Sequence, residues 1–172
     1  STNQPDIAYD VATRGANVFV AGATLGSLDG PSQGWDPFIR KYNPTFRWGK
    51  QFGNPDPDYA YDIAVDSLGN SYVAGETYIK PNGGVERRVV FLRKYDPDGN
   101  LRWTRQFGSF WLSSVGDIAV DHNDNVYLAS SEYRVGWAYF VFIRKFSPDG
   151  AALRRIQLQP LSTGGSLPYP RA

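Results

Sequence analysis

The chain has 172 residues, 20% of them charged, and a formal net charge of +1, so length and composition describe about one ordinary globular domain. It has no cysteine and a single histidine, His122, which excludes a disulfide framework, a thiol nucleophile, thiolate-held zinc and a multi-histidine metal site. Because there is neither a basic excess nor an apolar run that could span a bilayer, we expect no nucleic-acid binding and no membrane insertion.

The chain contains three copies of one unit. A first block reads AYDVATRGANVFVAGAT at 8–24, AYDIAVDSLGNSYVAGET at 60–77 and VGDIAVDHNDNVYLASSE at 115–132. A second block follows each time and reads FIRKYNPTFRWGKQFG at 38–53, FLRKYDPDGNLRWTRQFG at 91–108 and FIRKFSPDGAALRRIQL at 142–158. The period is 51 to 55 residues, and a fixed period of this length indicates a repeat architecture.

Each copy predicts four short strands. In the middle copy these strands run over 62–66, 71–77, 88–95 and 101–107, the last as a half-buried edge strand. The sequence SLGN at 67–70 is a hairpin turn signal, and DPDGN at 96–100 predicts a tight turn in which Gly99 supplies the positive φ. No segment shows a sustained helical period, so the predicted fold class is all-β.

A four-stranded antiparallel unit repeated every 50-odd residues is typical of β-propeller blades. The block DIAVDSLGNSYVAGET…FLRKYDPDGNLRWTRQFG resembles the SBBP repeat of bacterial β-propellers and, more loosely, the NHL repeat, over about residues 6–160. We therefore predict blades at 1–55, 56–109 and 110–160, followed by a C-terminal extension at 161–172. The SBBP family is typically exported, so the resemblance implies an extracellular or cell-surface setting.

Three blades do not close a propeller ring, because propellers have about four to eight blades. Two apolar sheet faces would stay exposed, so we expect something to cover them. The chain is a fragment whose other blades lie in a partner, or it dimerises into a six-bladed ring, or it stacks head to tail into a fibre. A divergent last strand and the extension after it are expected at a capping or contact position, with an uninvolved tail as the alternative.

Charged residues recur at fixed positions of the repeat: Asp10, Asp62 and Asp117, and the pairs Arg40-Lys41, Arg93-Lys94 and Arg144-Lys145. They form either a ring of cations for an acidic ligand or structural pairs between aspartates and cations of adjacent strands or blades. We favour the structural pairs, because a residue present in every blade serves the blade. The turn at 96–100 lacks the spacing of an EF-hand, and His122 lies in a hairpin turn without a catalytic partner in view.

The loops between the second and third strands differ most between copies and should emerge on the same face as the connections between blades. Aromatic and arginine side chains there are candidate contact residues, together with one in the extension: Trp35, Tyr78, Tyr133, Arg134, Trp137 and Tyr169. Loop divergence without constraint would give the same pattern. No motif brings together the acids that are not repeated, namely Asp29, Asp36, Asp56, Asp58, Glu86 and Glu132.

The sequence therefore predicts a non-enzymatic propeller module without a cofactor or bound metal, which acts as a structural or assembly subunit. Its expected partners are copies of itself or a companion propeller chain. The alternative is a ligand- or glycan-binding segment of a larger secreted protein.

Overall fold

A computed structural model describes residues 4–80, 84, 86–108, 112–134 and 138–158, and these contain β-strands and no helix. The strands in chain order are β1 (Asp6–Arg14), β2 (Asn17–Thr24), β3 (Asp36–Asn43), β4 (Thr45–Gln51), β5 (Tyr59–Val65), β6 (Ser71–Ile79), β7 (Arg87–Tyr95), β8 (Leu101–Phe107), β9 (Leu112–Val120), β10 (Val126–Arg134), β11 (Ala138–Phe146) and β12 (Ala152–Leu158). Within this described part, no helix is long and apolar enough to cross a membrane.

The strands form three four-stranded antiparallel sheets, each a meander of consecutive strands. One isolated parallel pairing, between Arg88 of β7 and Leu112 of β9, joins the second sheet to the third. No sheet closes on itself among the described strands. The predicted all-β fold with three unclosed four-stranded blades is thus confirmed. The strands of the blades lie within 6–51, 59–107 and 112–158, whereas the predicted extension lies outside the described residues.

The turns that close the hairpins follow the expected glycine chemistry. Gly99 has φ of 84° and donates its amide to the Asp96 carbonyl at 3.0 Å, and Gly69 has φ of 82° in the equivalent arrangement. Asp124 takes the place of Gly69 in the third blade and has φ of 60°, which aspartate tolerates better than most residues. In the middle blade β8 has the predicted bounds, whereas β5 begins at Tyr59, three residues earlier than predicted.

The core consists of two apolar layers, one between each pair of consecutive blades. We call the face of a blade that packs on the preceding blade its leading face, and the opposite one its trailing face. The first layer joins the trailing face of blade one to the leading face of blade two through Phe19, Ala21, Ile39, Ala60, Ile63, Val73, Phe91 and Tyr95. The second joins blades two and three through Tyr72, Ala74, Val90, Leu92, Ile118, Val126, Leu128 and Phe146.

The two layers use equivalent positions of the repeat. Phe19 and Tyr72 fill the same place on the trailing faces of blades one and two, and Ile63 and Ile118 fill the same place on the leading faces of blades two and three. Face-to-face packing of this kind buries both sides of the middle sheet, which explains why the strands of blade two are apolar on both faces.

Candidate functional site

A β-bulge recurs in the first strand of every blade, immediately before the repeated aspartate. The pairing register shifts at residue 9 in β1, at 61 in β5 and at 116 in β9. A bulge redirects the side chain that follows it. Asp10 Oδ2 accepts the Ile63 amide at 3.0 Å, and Asp62 Oδ2 accepts the Ile118 amide at 2.6 Å. The repeated aspartates therefore fasten each first strand to the next one, always in the same direction.

Asp62 lies between two other carboxyl groups of this row. Burial raises its pKa, hydrogen bonding to Asp10 and to Asp117 adds to the rise, and the pKa reaches about 7 although the Ile118 amide opposes the shift. Like charges held this close do not all ionise together, so Asp62 keeps its proton into the neutral range. Among the described residues no group of three or more histidine or acidic side chains has the arrangement of a metal site.

The strand-three lysine and the strand-four tryptophan hold the next blade by its tight turn. Lys41 Nζ and Trp48 Nε1 both donate to the Pro97 carbonyl at 2.9 Å. The second interface repeats the two bonds, at 2.8 and 3.2 Å, with the equivalent residues Lys94, Trp103 and Pro148. The preceding blade thus binds each blade at the turn between strands three and four.

The arginine of each basic pair packs backward onto the preceding blade. The Arg93 guanidinium lies 4.0 Å from the centre of the Phe52 ring, and that of Arg144 lies 4.8 Å from the centre of the Phe107 ring. Both phenylalanines belong to the Gln-Phe-Gly sequence at the end of strand four. Cation–π contacts of this kind stabilise the packing of one blade on the next.

The expected pairing between repeated aspartates and repeated cations is wrong. The aspartates accept backbone amides of the next blade. Between blades the cations bind proline carbonyls and aromatic rings, and their ion pairs with Asp66, Asp121 and Glu132 lie within one blade. Arg40, which has no preceding blade among the described residues, bonds through Nε to Asp29 at 2.7 Å. The repeated charges still serve the contacts between blades, but through backbone and ring partners that no sequence pattern displays.

Four aromatic rings form a continuous cluster beside the first strands of blades one and two. The Trp35 ring stacks on Tyr59 with centroids 6.2 Å apart, Tyr59 stacks on Tyr61 at 5.7 Å, and Tyr61 meets Tyr9 edge to face at 5.0 Å. Tyr9 is 40% exposed and the other three are half-buried. Burial, followed by the charge of Glu76, raises the pKa of Tyr61 to about 12, so this phenol stays neutral.

Asp58 ties the variable loops to the connection between blades one and two. Its amide donates to the Trp35 carbonyl at 2.7 Å, and its carboxylate accepts the amides of Asn54 at 2.8 Å and Tyr78 at 3.2 Å. Burial raises the pKa of Asp58 despite these donors and a hydrogen bond from Thr77. The loop at 25–35 and the connection at 52–58 therefore meet on one face of the molecule, as predicted.

Of the predicted contact residues, Trp35 stacks on Tyr59 of the cluster, and the Tyr78 amide donates to Asp58, which precedes Tyr59. Tyr133 and Arg134 end strand β10. Trp137 and Tyr169 lie outside the described residues. The contact role of all six stays a prediction. Sequence reasoning missed Tyr9 and Tyr61, although both precede the repeated aspartate at the same position of their copies.

The acids that are not repeated do not share an accessible pocket within the described part of the chain. Asp36 and Asp58 adjoin one another but each is only 1% exposed, so neither can reach a substrate. Asp56 and Glu86 both pair with the exposed Lys80, at 3.2 and 3.1 Å. The remaining two are held in ion pairs, Asp29 with Arg40 and Glu132 with Arg144.

Comparison with protein families gives one match. Residues 47–81 match the family model of the SBBP β-propeller repeat, so the resemblance seen in the sequence is confirmed for this segment. The matched segment starts in β4, the outer strand of blade one, and ends just after β6, so it covers one connection between blades. Among curated proteins no match to the chain was found.

Proposed function

We propose, from the premise that the chain carries an SBBP-type β-propeller repeat, that it is a non-enzymatic assembly subunit. Its open blade faces would be covered by further blades, supplied by copies of itself or by a companion propeller chain. The resemblance to exported SBBP proteins supports a place outside the cell or at its surface.

The observation that carries this proposal is the direction of the contacts between blades. Each described interface joins a trailing face to a leading face through the same aspartate, lysine and arginine positions. In a stack of repeats each blade contacts only its neighbours. The first blade therefore has a leading face without a partner, and the last blade a trailing face without one. Apolar side chains are accordingly exposed there: Val11 at 57% on the leading face of blade one and Leu158 at 47% on blade three.

A second function, the binding of a glycan or another ligand, is supported by the aromatic cluster. Trp35, Tyr59, Tyr61 and Tyr9 form a partly exposed series of rings on the side of the variable loops. Aromatic faces of this kind pack against the C–H faces of sugars, and the phenol groups supply hydrogen bonds.

The assembly function is tested by the binding of an apolar fluorescent dye to the full chain over a dilution series. If copies cover the open faces, the fluorescence per chain falls as the concentration of chain rises. A constant high signal would leave only a companion chain as the cover. A low signal from a chain that light scattering finds monomeric contradicts the assembly function in both forms, because no apolar face would then be open on the single chain.

The binding function is tested by a glycan array with the wild-type chain and Trp35→Ala. Specific binding that is lost in Trp35→Ala supports the cluster as a site. The control is Phe46→Ala, which removes a 49% exposed ring on the β4 strand outside the cluster. The absence of binding by the wild-type chain, or equal loss in both variants, contradicts this second function.

A further inference from the structure

The trailing face of blade three carries an open cleft of about 350 Å³. Its lining comes from strands β10, β11 and β12 and consists of Tyr127, Ile143, Lys145, Leu153, Arg154 and Ile156. Leu153 is 53% exposed at its rim, so apolar surface is left open to solvent there.

The same positions in blade two grip the turn of blade three. Tyr127 corresponds to Tyr72 and Lys145 to Lys94. Lys94 Nζ donates to the Pro148 carbonyl at 2.8 Å and also pairs with Asp66 at 3.5 Å. Lys145 keeps the equivalent of the second contact, with Asp121 at 3.1 Å. The cleft thus has the chemistry of a receptor for the strand-three to strand-four turn of another blade.

The leading face of blade one has the complementary residues. Val11 occupies the position that Ile63 and Ile118 have in the other blades. It pairs with Val20 as Ile63 pairs with Val73 and Ile118 with Leu128. Ile63 and Ile118 are 4% and 6% exposed because a preceding blade covers them, whereas Val11 is 57% exposed. Tyr42 is equivalent to Tyr95 and Phe146, which are buried in the first and second apolar layers. Pro44 lies in the turn that follows Tyr42.

We infer that the trailing face of blade three binds the leading face of blade one in a second copy of this chain. This rests on the proposed assembly function and names the occupant of its open faces. The contacts continue those of the two described interfaces. Asp117 accepts the Val11 amide of the second copy, and Lys145 donates to its Pro44 carbonyl.

Two departures from the repeat fall on the two surfaces that meet in this contact. The turn around Pro44 is two residues shorter than the turns around Pro97 and Pro148. On the opposing face, Arg154 replaces the tryptophan that donates to the proline carbonyl in the other blades. A guanidinium on a long flexible side chain keeps the donor and extends its reach, as a shorter acceptor turn requires.

Each copy has one open leading face and one open trailing face. Two copies therefore make two contacts, and in each the trailing face of one copy binds the leading face of the other. Two copies contribute six blades, which is within the range of about four to eight blades that closes a propeller, and three copies would exceed it. Head-to-tail contacts form rings when the rotation closes. The assembly is therefore a closed six-bladed dimer.

The test compares the solution masses of the wild-type chain, Val11→Lys and Ile143→Lys by light scattering. We expect the wild-type chain at twice its 19.2 kDa mass and each variant at 19.2 kDa, because each places a charge in both contacts of the ring. Leu68→Lys is the matched control, since this side chain is 73% exposed in a turn away from both faces, and it stays dimeric. Circular dichroism shows whether each variant keeps its sheets.

Mixing the two folded variants gives a second measurement. One intact contact forms between the unaltered leading face of Ile143→Lys and the unaltered trailing face of Val11→Lys, so a mixed pair appears. A dimer that survives either substitution, a mass that grows without limit, or a dye-binding wild-type monomer overturns the inference. These outcomes differ from the monomer with a low dye signal that contradicts the assembly function itself.

Discussion

At the scale of single residues, the contacts between blades depend on carboxylates that accept backbone amides. A β-bulge precedes each repeated aspartate, and the side chains of Asp10 and Asp62 reach the first strand of the next blade. A buried amide without an acceptor is costly. Asp62 satisfies the Ile118 donor of the next blade, and Asp10 shares the Ile63 donor with Asp62 Oδ1. The same arrangement crowds acidic groups along one row, which sets the titration of Asp62.

Asp62 makes the stability of the chain depend on pH. Its folded pKa of about 7 lies above the ordinary aspartate value of 3.8, so the folded chain binds the extra proton between these values. The stabilisation is complete below about pH 4 and is lost as the pH rises through 7. We expect Asp62→Asn, which mimics the protonated acid, to be about 1–2 kcal/mol more stable than the wild type at pH 8, allowing for solvent screening of a half-buried group.

Urea unfolding at pH 5 and at pH 8, at one fixed protein concentration, measures this difference. Asp98→Asn in the exposed turn is the control and should follow the wild-type curve. Parallel pH profiles for the wild type and Asp62→Asn would show that Asp62 does not carry the proton.

Gly75 is required by close packing within blade two. A Cβ at this position would lie 2.0 Å from the Tyr59 carbonyl oxygen and 2.4 Å from the Phe91 ring, so β5 or β7 would have to move. We expect Gly75→Ala to destabilise the chain by about 2–3 kcal/mol in urea unfolding. Gly30→Ala, whose Cβ meets only ordinary contacts at 3.5 Å, should stay within about 0.5 kcal/mol of the wild type. Equal effects of the two substitutions would contradict the packing described for Gly75.

At the scale of elements, the tight turn between strands three and four serves both its own hairpin and the neighbouring blade. Gly99 and Gly150 close the turns with φ of 84°, while the carbonyls of Pro97 and Pro148 point outward and are bound by the preceding blade. A turn with a constant shape can present its carbonyl at a constant place. The glycine that closes each turn therefore also fixes the position of the proline carbonyl that the preceding blade binds.

The two lysines at this position should differ in their effect on stability. Lys94→Met leaves the buried Asp66 carboxylate without its cation and Pro148 without one of its two donors, which we expect to cost about 2–4 kcal/mol. Lys145→Met breaks a more exposed pair with Asp121, so within the chain it should lower the free energy of unfolding less than Lys94→Met does. Its effect should instead appear as weaker association between copies. Denaturant unfolding and light scattering measure the two effects, and equal unfolding costs for both variants would contradict the difference.

The order of the strands could be predicted because the signals for it are local. Glycine and proline mark each turn, and three copies show the same alternation, so β8 and the turns at Gly69 and Gly99 are as predicted. The partners of Asp10 and of Lys41 could not be predicted, because backbone amides and carbonyls have no signature in a sequence. The aromatic cluster was missed for a different reason, since its four rings come from positions 9, 35, 59 and 61 and meet only after folding.

At the scale of the whole molecule, three blades form a stack with two unlike ends. The leading face of blade one and the trailing face of blade three present the two halves of the contact that already joins the blades within the chain. A contact that is repeated within a chain can also form between chains, because its chemistry is the same on both sides. The assembly we propose is the continuation of the internal architecture.

Hydrogen exchange at the Val11 amide tests this most directly, with Ile63 and Ile118 as internal references. Those two amides donate to the aspartate of the preceding blade, at 3.0 and 2.6 Å, and the Ile63 amide also donates to its own Asp62 at 2.8 Å. If Asp117 of a second copy binds the Val11 amide, its protection should rise with chain concentration and approach that of the two references. An amide at Val11 that exchanges at the rate of an open strand edge at every concentration, while Ile63 and Ile118 stay protected, would contradict the joining of blades between copies.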